Sequence, residues 1–234
     1  WIIGMQNQNG GWGAFDPDGT NYYLDHIPFA DHGALLDPPT ADVTARCISM
    51  LAQLGYGKTH PALSLGLEYL RQNQEEDGSW FGRWGSNYIY GTWSVLSAFN
   101  AAGEDVDASH IRKAVDWLKS YQRDDGGWGE DGASYWPERK SEVKESTPSQ
   151  TAWAVLGLMA AGEIKSDAVR RGVDYLLTSP RSGPRWDEDL YTAVGFPRVF
   201  YLRYHGYAKY FPLWALSRYR NLLRGNTRTV PYGM

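Results

Sequence analysis

Thiol chemistry is nearly absent from this chain: of its 234 residues one, Cys47, is a cysteine. That excludes a disulfide framework and a thiolate-rich zinc site, and it suits a reducing compartment. Charge of one sign is lacking too. With 23 Lys and Arg against 27 Asp and Glu the net charge is −4, which gives no electrostatic footprint for nucleic acid. No apolar run is long. The longest, Ala152–Gly162, falls short of the roughly 20 residues that cross a bilayer, and no signal peptide is visible. Histidine is sparse, and His26 and His32 share their loop with no helical His pair or Cys ligand, so no metal is expected. What the chain does have is aromatic: 15% of it, with 11 Trp and 16 Tyr. It opens on Trp1 inside a patterned segment, and so reads as the tail of a longer protein.

The aromatics fall into a repeat. Gln, Gly and Trp recur in the order Gln-x-x-x-Gly-x-Trp at Gln6–Trp12, Gln74–Trp80 and Gln122–Trp128, with a worn copy ending at Trp186. An amphipathic run such as Ile111–Leu118 precedes the motif and has helical spacing. Between copies lie apolar segments, Thr44–Gly55, Thr92–Gly103 and Thr151–Gly162, each ending in a glycine suited to a left-handed helix cap. From that glycine to the next Trp takes 25, 25 and 24 residues, whereas from Trp to the next Thr takes 32, 12 and 23. One half of each repeat is therefore fixed and the other varies. The expected architecture is all-α: helical pairs, inner and outer, stacked into most of an (α/α)6 toroid, with function on the variable edge. The repeated Gln and Trp read as structural, the Gln serving to cap backbone groups at helix ends.

Taken with three longer segments, this repeat resembles the QW motif of the squalene-hopene and oxidosqualene cyclases. The segments are Asp25–Phe29 with Asp37–Arg46, then Asp77–Gly85, then Gly195–Pro197 leading into Phe200–Leu202. The resemblance covers almost the whole chain and is nearer the squalene-hopene branch. It implies the C-terminal α/α barrel of a two-barrel enzyme. In the intact protein an Asp-x-Asp-Asp acid would protonate squalene, and the cation cascade would end in a pentacyclic hopanoid. No such acid motif occurs in these residues; by the resemblance it lies upstream, as does the second barrel. The reaction is redox-neutral and needs no cofactor. A bacterial, cytoplasmic protein held peripherally on a membrane surface is implied, since the substrate dissolves in lipid, and a homodimer is possible.

Phe196, Phe200, Tyr204 and Tyr207 recur at spacings of four, four and three, so one helical face could carry them. By spacing alone that stripe reads as core. The resemblance recasts Phe196 and Phe200 as cation-stabilising rings and Tyr201, Tyr204 and Tyr207 as lining. It likewise casts Trp84, Tyr90, Phe15 and Phe29 as parts of the cavity wall. The polar candidates are Asp37, Asp42 and Arg46. Asp42 and Arg46 stand four apart at a helix start and suit an ion pair, and an Arg inside an apolar helix needs a partner. Through the resemblance all three brace the upstream acid. Three other readings compete. An (α/α)6 glycoside hydrolase would need carboxylates that Phe196–Tyr207 lacks. A non-catalytic binding solenoid would need no cavity. A prenyltransferase β-subunit would need zinc ligands.

Overall fold

The computed structural model describes residues 1–225 apart from 20, 30, 31, 33, 34 and 141. Seven α-helices carry the described chain: α1 (Ala41–Gln53), α2 (Pro61–Gln72), α3 (Tyr88–Ala102), α4 (Ser109–Ser120), α5 (Pro148–Ala160), α6 (Asp167–Thr178) and α7 (Tyr207–Leu223). Between α6 and α7 lie two small antiparallel hairpins, β1 (Arg181–Ser182) with β2 (Arg185–Trp186), and β3 (Ala193–Phe196) with β4 (Phe200–Leu202). The inner helices α1, α3, α5 and α7 pack successively on one another, and α2, α4 and α6 back them. Every residue of α5 is buried, as its apolar composition on all faces requires. Outer α4 and α6 bury one stripe each.

The repeat motif is the joint between pairs, and its chemistry is the same at each copy. Gln6, Gln74 and Gln122 each donate from Nε2 to the carbonyl of the motif glycine and to a carbonyl in the first turn of the next outer helix or just before it. Those second acceptors are Ala62, His110 and Ala168, at 2.8–2.9 Å. Each Trp indole donates to the carbonyl ten residues back: Trp12 to Ile2, Trp80 to Leu70, Trp128 to Leu118 and Trp186 to Leu176. The worn fourth copy thus keeps the indole bond although it lost Gln and Gly. The backbone N–H of Trp12, Trp80 and Trp128 donates to the hydroxyl of Thr44, Thr92 and Thr151 at the start of the inner helices. Gly78 shows why the motif needs glycine. Its φ is +101°, and a Cβ there would sit 2.6 Å from the Lys113 carbonyl oxygen of α4.

Because the variable segments run from each Trp to the next inner helix, all of them emerge at the N-terminal ends of α1, α3, α5 and α7. One sequence expectation fails here. The stretch from Phe196 to Tyr207 is not one helix but the β3–β4 hairpin followed by the start of α7. Pro197 disfavours helical backbone at Phe196, and Arg198 closes the turn with φ +67°.

Candidate active site at the N-terminal ends of the inner helices

Asp42 organises the site. It sits in the first turn of α1, 1% exposed, and both of its carboxylate oxygens are occupied. Oδ1 accepts from Thr40 Oγ1 (2.5 Å) and Val43 N (3.1 Å). Oδ2 accepts from Arg83 N (3.0 Å) and Trp84 N (2.8 Å), which lie on the loop before α3. Burial pushes its carboxyl above the usual range, and these hydrogen bonds, with the nearby Arg46 charge, pull it back. Asp37 does the same for a second loop, taking the backbone N–H groups of Phe15 and Asp16 on Oδ2. Two carboxylates from the 37–42 stretch thus fix the loops that carry Phe15 and Trp84, and those two rings meet edge to face at 5.9 Å.

Arg46 does not pair with Asp42, contrary to the sequence expectation, because the Asp42 oxygens are already taken by the loop amides. Its guanidinium lies over the Trp93 ring at 4.2 Å and near the Tyr90 ring at 5.8 Å. That is a permanent charge held by aromatic faces. Behind it the rings continue. Trp93 stacks on Trp153 (5.8 Å, 5°), Tyr90 meets Trp153 at 5.1 Å, and Tyr207 and Phe211 of α7 contact Trp153 at 5.7 and 5.3 Å. Tyr204 meets Tyr207 at 5.1 Å. Burial raises the hydroxyl pKa of Tyr90 and lifts that of Tyr207 to about 12, so both remain neutral phenols at physiological pH.

Two hollows share Phe15 and Trp84 as a common wall. One, of about 350 Å³, runs past Asp42, Val43, Arg46 and Tyr90. The other, of about 600 Å³, is lined by Asp37, Arg83, Leu36 and Phe196. Phe196 and Phe200 meet at 5.4 Å across the β3–β4 turn. Hydrogen bonds lace this hairpin to the Trp84 loop, with Val194 N donating to the Trp84 carbonyl at 3.2 Å and Gly85 bridging to Ala193.

Of the residues expected from sequence, Phe15, Asp37, Asp42, Arg46, Trp84, Tyr90 and Phe196 line these two hollows. Phe200 joins them through its contact with Phe196, and Tyr207 lies behind them against Trp153, whereas Tyr204, in contact with Tyr207, is exposed and lines a separate hollow with Trp186 and Glu188. Tyr201 does not belong with its neighbour Phe200. Alternation along β4 turns it to the opposite face, where it stacks on Tyr135 at 6.0 Å and lines a separate hollow with Trp136 and Arg198. Phe29 is 88% exposed and lines neither site hollow. Sequence reasoning missed Trp93, Trp153 and Phe211. They lie in helices apolar on every side or, for Phe211, in a helix start not anticipated, so periodicity could not single them out. Their position one or two residues past the repeat Thr was the available signal for the two tryptophans.

Comparison with known proteins places this architecture first in a class. A type II terpene cyclase from Scytonema superposes with a TM-score of 0.62 over 94% of this chain and 65% of its own, at 17% identity, which shows a shared fold. An ent-copalyl diphosphate synthase from Streptomyces platensis matches more loosely, with a TM-score of 0.51 over 80% of this chain and 33% of its own at 21% identity. The chain belongs to the squalene-hopene cyclase family: the family's C-terminal domain profile matches residues 1–221. A squalene-hopene cyclase of Bradyrhizobium diazoefficiens is 62% identical over all of this chain, and that of Alicyclobacillus acidocaldarius 48% over 95% of it. The chain spans about a third of the length of these relatives, 36% and 35%. Membership of this family sets aside the glycoside hydrolase, prenyltransferase and binding-solenoid readings.

Proposed function

We propose that this chain forms the cation-stabilising part of a squalene-hopene-type cyclase, an intramolecular isomerase that folds squalene and closes it to a pentacyclic hopanoid. The observation that carries the proposal is the union of neutral aromatic rings and two ring-held guanidinium groups, Arg46 and Arg83, at the N-terminal ends of the inner helices. Polyene cyclisation needs a strong acid to start it and then a cavity without water or base, where positive charge migrates unquenched. Ring faces attract a cation by about 0.5–2 kcal/mol each and offer no nucleophilic lone pair. Tyr90 and Tyr207 stay protonated, so they add ring faces and no base.

The roles divide by position. Phe196, Phe200 and Trp84 stabilise developing cations, and Phe15 and Tyr90 shape the wall, with Tyr207 behind it. Asp42 and Asp37 hold the loops, and Arg46 biases the acid end of the cavity. A cation there favours ionised neighbours, so an adjacent protonated carboxyl gives up its proton more readily. The initiating acid, an Asp-x-Asp-Asp group by family resemblance, comes from outside these residues. A lipid-soluble substrate makes a membrane surface the natural partner. No helix among the described residues is long and apolar enough to cross a membrane, so contact of the peripheral kind is proposed.

The test is direct. The whole protein in detergent is incubated with squalene and its products are separated by gas chromatography. Enzyme-dependent pentacyclic product supports the proposal, and return of unreacted squalene by a folded protein overturns it.

A further inference from the structure

Arg83, on the loop before α3, touches two rings of the aromatic site and the hairpin backbone beside them. Its backbone N–H is held by Asp42 Oδ2. Its guanidinium carbon lies 4.3 Å from the Trp84 ring centroid and 5.7 Å from that of Phe196, and Nη1 donates to the Gly195 carbonyl at 3.0 Å. Among the described residues no carboxylate pairs with the guanidinium. Burial lowers its pKa, and Tyr135, Asp42 and Asp37 act on it from a distance in the opposite direction. A half-buried charge without an ion pair is costly unless something else holds it, and here two rings and one carbonyl do.

We propose that Arg83 is a positioning residue of the cyclase site. It locks the Trp84 loop to the Phe196–Phe200 hairpin and covers one face of the Trp84 indole, so that substrate meets only the other. Three features converge on this role. The planar guanidinium can lie on a ring and donate edge-on at the same time, which an ammonium on a flexible stem cannot do. The two segments it joins, 83–84 and 195–196, come from different repeats and are 112 residues apart. The backbone contacts between them, through Val194 N and Gly85, fix the strands but leave the ring of Trp84 free to turn about its side-chain torsions. Arg83 on the ring's face and Phe15 at 5.9 Å, edge to face, oppose that rotation.

The proposal rests on the cyclase reading, so its test carries an arm that does not. In the whole protein, Arg83→Met keeps an apolar stem over the indole but loses the charge and the planar fork, and Arg83→Lys keeps stem and charge but loses the fork. Arg83→Met is expected to lower kcat about tenfold with KM for squalene little changed, and to release incompletely cyclised products. Arg83→Lys should fall between it and the parent. Trp84→Ala run alongside shows whether that ring matters to product formation at all. Independently of any reaction, 5-fluorotryptophan is incorporated and the Trp84 ¹⁹F resonance is assigned by its loss in Trp84→Phe. In Arg83→Met that resonance should broaden or split. An unchanged Trp84 resonance in a folded Arg83→Met protein overturns the positioning role. So does an unchanged product spectrum where Trp84→Ala alters it. If Trp84→Ala leaves the products intact while the resonance responds to Arg83→Met, the positioning stands and the cation role of Trp84 falls.

Discussion

Removing the Asp42 carboxylate should release the Trp84 loop, and the size of the effect follows from what its oxygens accept. In Asp42→Ala the N–H groups of Arg83 and Trp84, bonded at 3.0 and 2.8 Å, lose their carboxylate acceptor at a part-buried position, so the cost of an unsatisfied buried donor is an upper bound for each. A buried donor left unsatisfied costs about 1–3 kcal/mol, so the pair costs at most roughly 2–6 kcal/mol, less whatever relief comes from no longer burying a charge. For a domain of this size a melting temperature drop of at most roughly 5–20 °C follows. Asp42→Asn should be milder. Its one remaining oxygen can still face the loop amides, while its amide nitrogen is set against the Val43 N–H, 3.1 Å from the present oxygen. The pH dependence has a definite sign. Burial raises the folded pKa of Asp42 above 3.8, so the folded state binds the extra proton. Its contribution is fully present below 3.8 and is lost as pH rises through the raised folded value. Melting curves of parent and Asp42→Asn should therefore converge or cross as pH climbs through that window, because the variant has no carboxyl there to titrate. An Asp42→Ala protein with the parent's melting temperature and product spectrum would refute the clamp.

Arg46→Leu, which removes the charge from the Trp93 face, should lower kcat by at least about tenfold with little change in KM, since the charge matters to proton transfer and not to holding a hydrocarbon. Arg46→His should retain more activity and lose it with rising pH as the imidazole titrates; a variant that only melts earlier, with kcat intact, contradicts the assignment. Gln74→Leu deletes two joint hydrogen bonds of 2.9 and 2.8 Å and should cost about 1–3 kcal/mol, seen as a lower melting temperature with an unchanged product spectrum.

The repeat was legible in the sequence because its constraints are local. A glycine that must take positive φ at Gly78, an indole that bonds ten residues back and a Gln that ties its turn to the next helix all recur at fixed spacing. The inner helices were legible for the same reason, with Gly55, Gly103 and Gly162 adopting the expected left-handed caps. The site was legible in composition more than in arrangement. Spacing made a helix of Phe196–Tyr207, but Pro197 and the turn at Arg198 override that pattern. Asp42 and Arg46 stand one helical turn apart, yet the carboxylate spends its oxygens on the amides of residues 83 and 84, 41 and 42 residues away. No periodicity within α1 could reveal such a partner. Trp93 and Trp153 went unnoticed because an entirely apolar helix gives no sign of which of its buried rings back the Arg46 guanidinium.

The central claim is that the rings gathered here carry positive charge during cyclisation, and Phe200 tests it most directly. Its side chain is 42% exposed, so Phe200→Ala opens no core cavity and should leave the melting temperature close to the parent's. Losing a cation–π contact of about 1–2 kcal/mol slows one step roughly 5- to 30-fold against competing deprotonation. The whole protein carrying Phe200→Ala, given squalene, should release incompletely cyclised products visible by gas chromatography. A folded Phe200→Ala protein that forms the parent's products in the parent's proportions would contradict the claim.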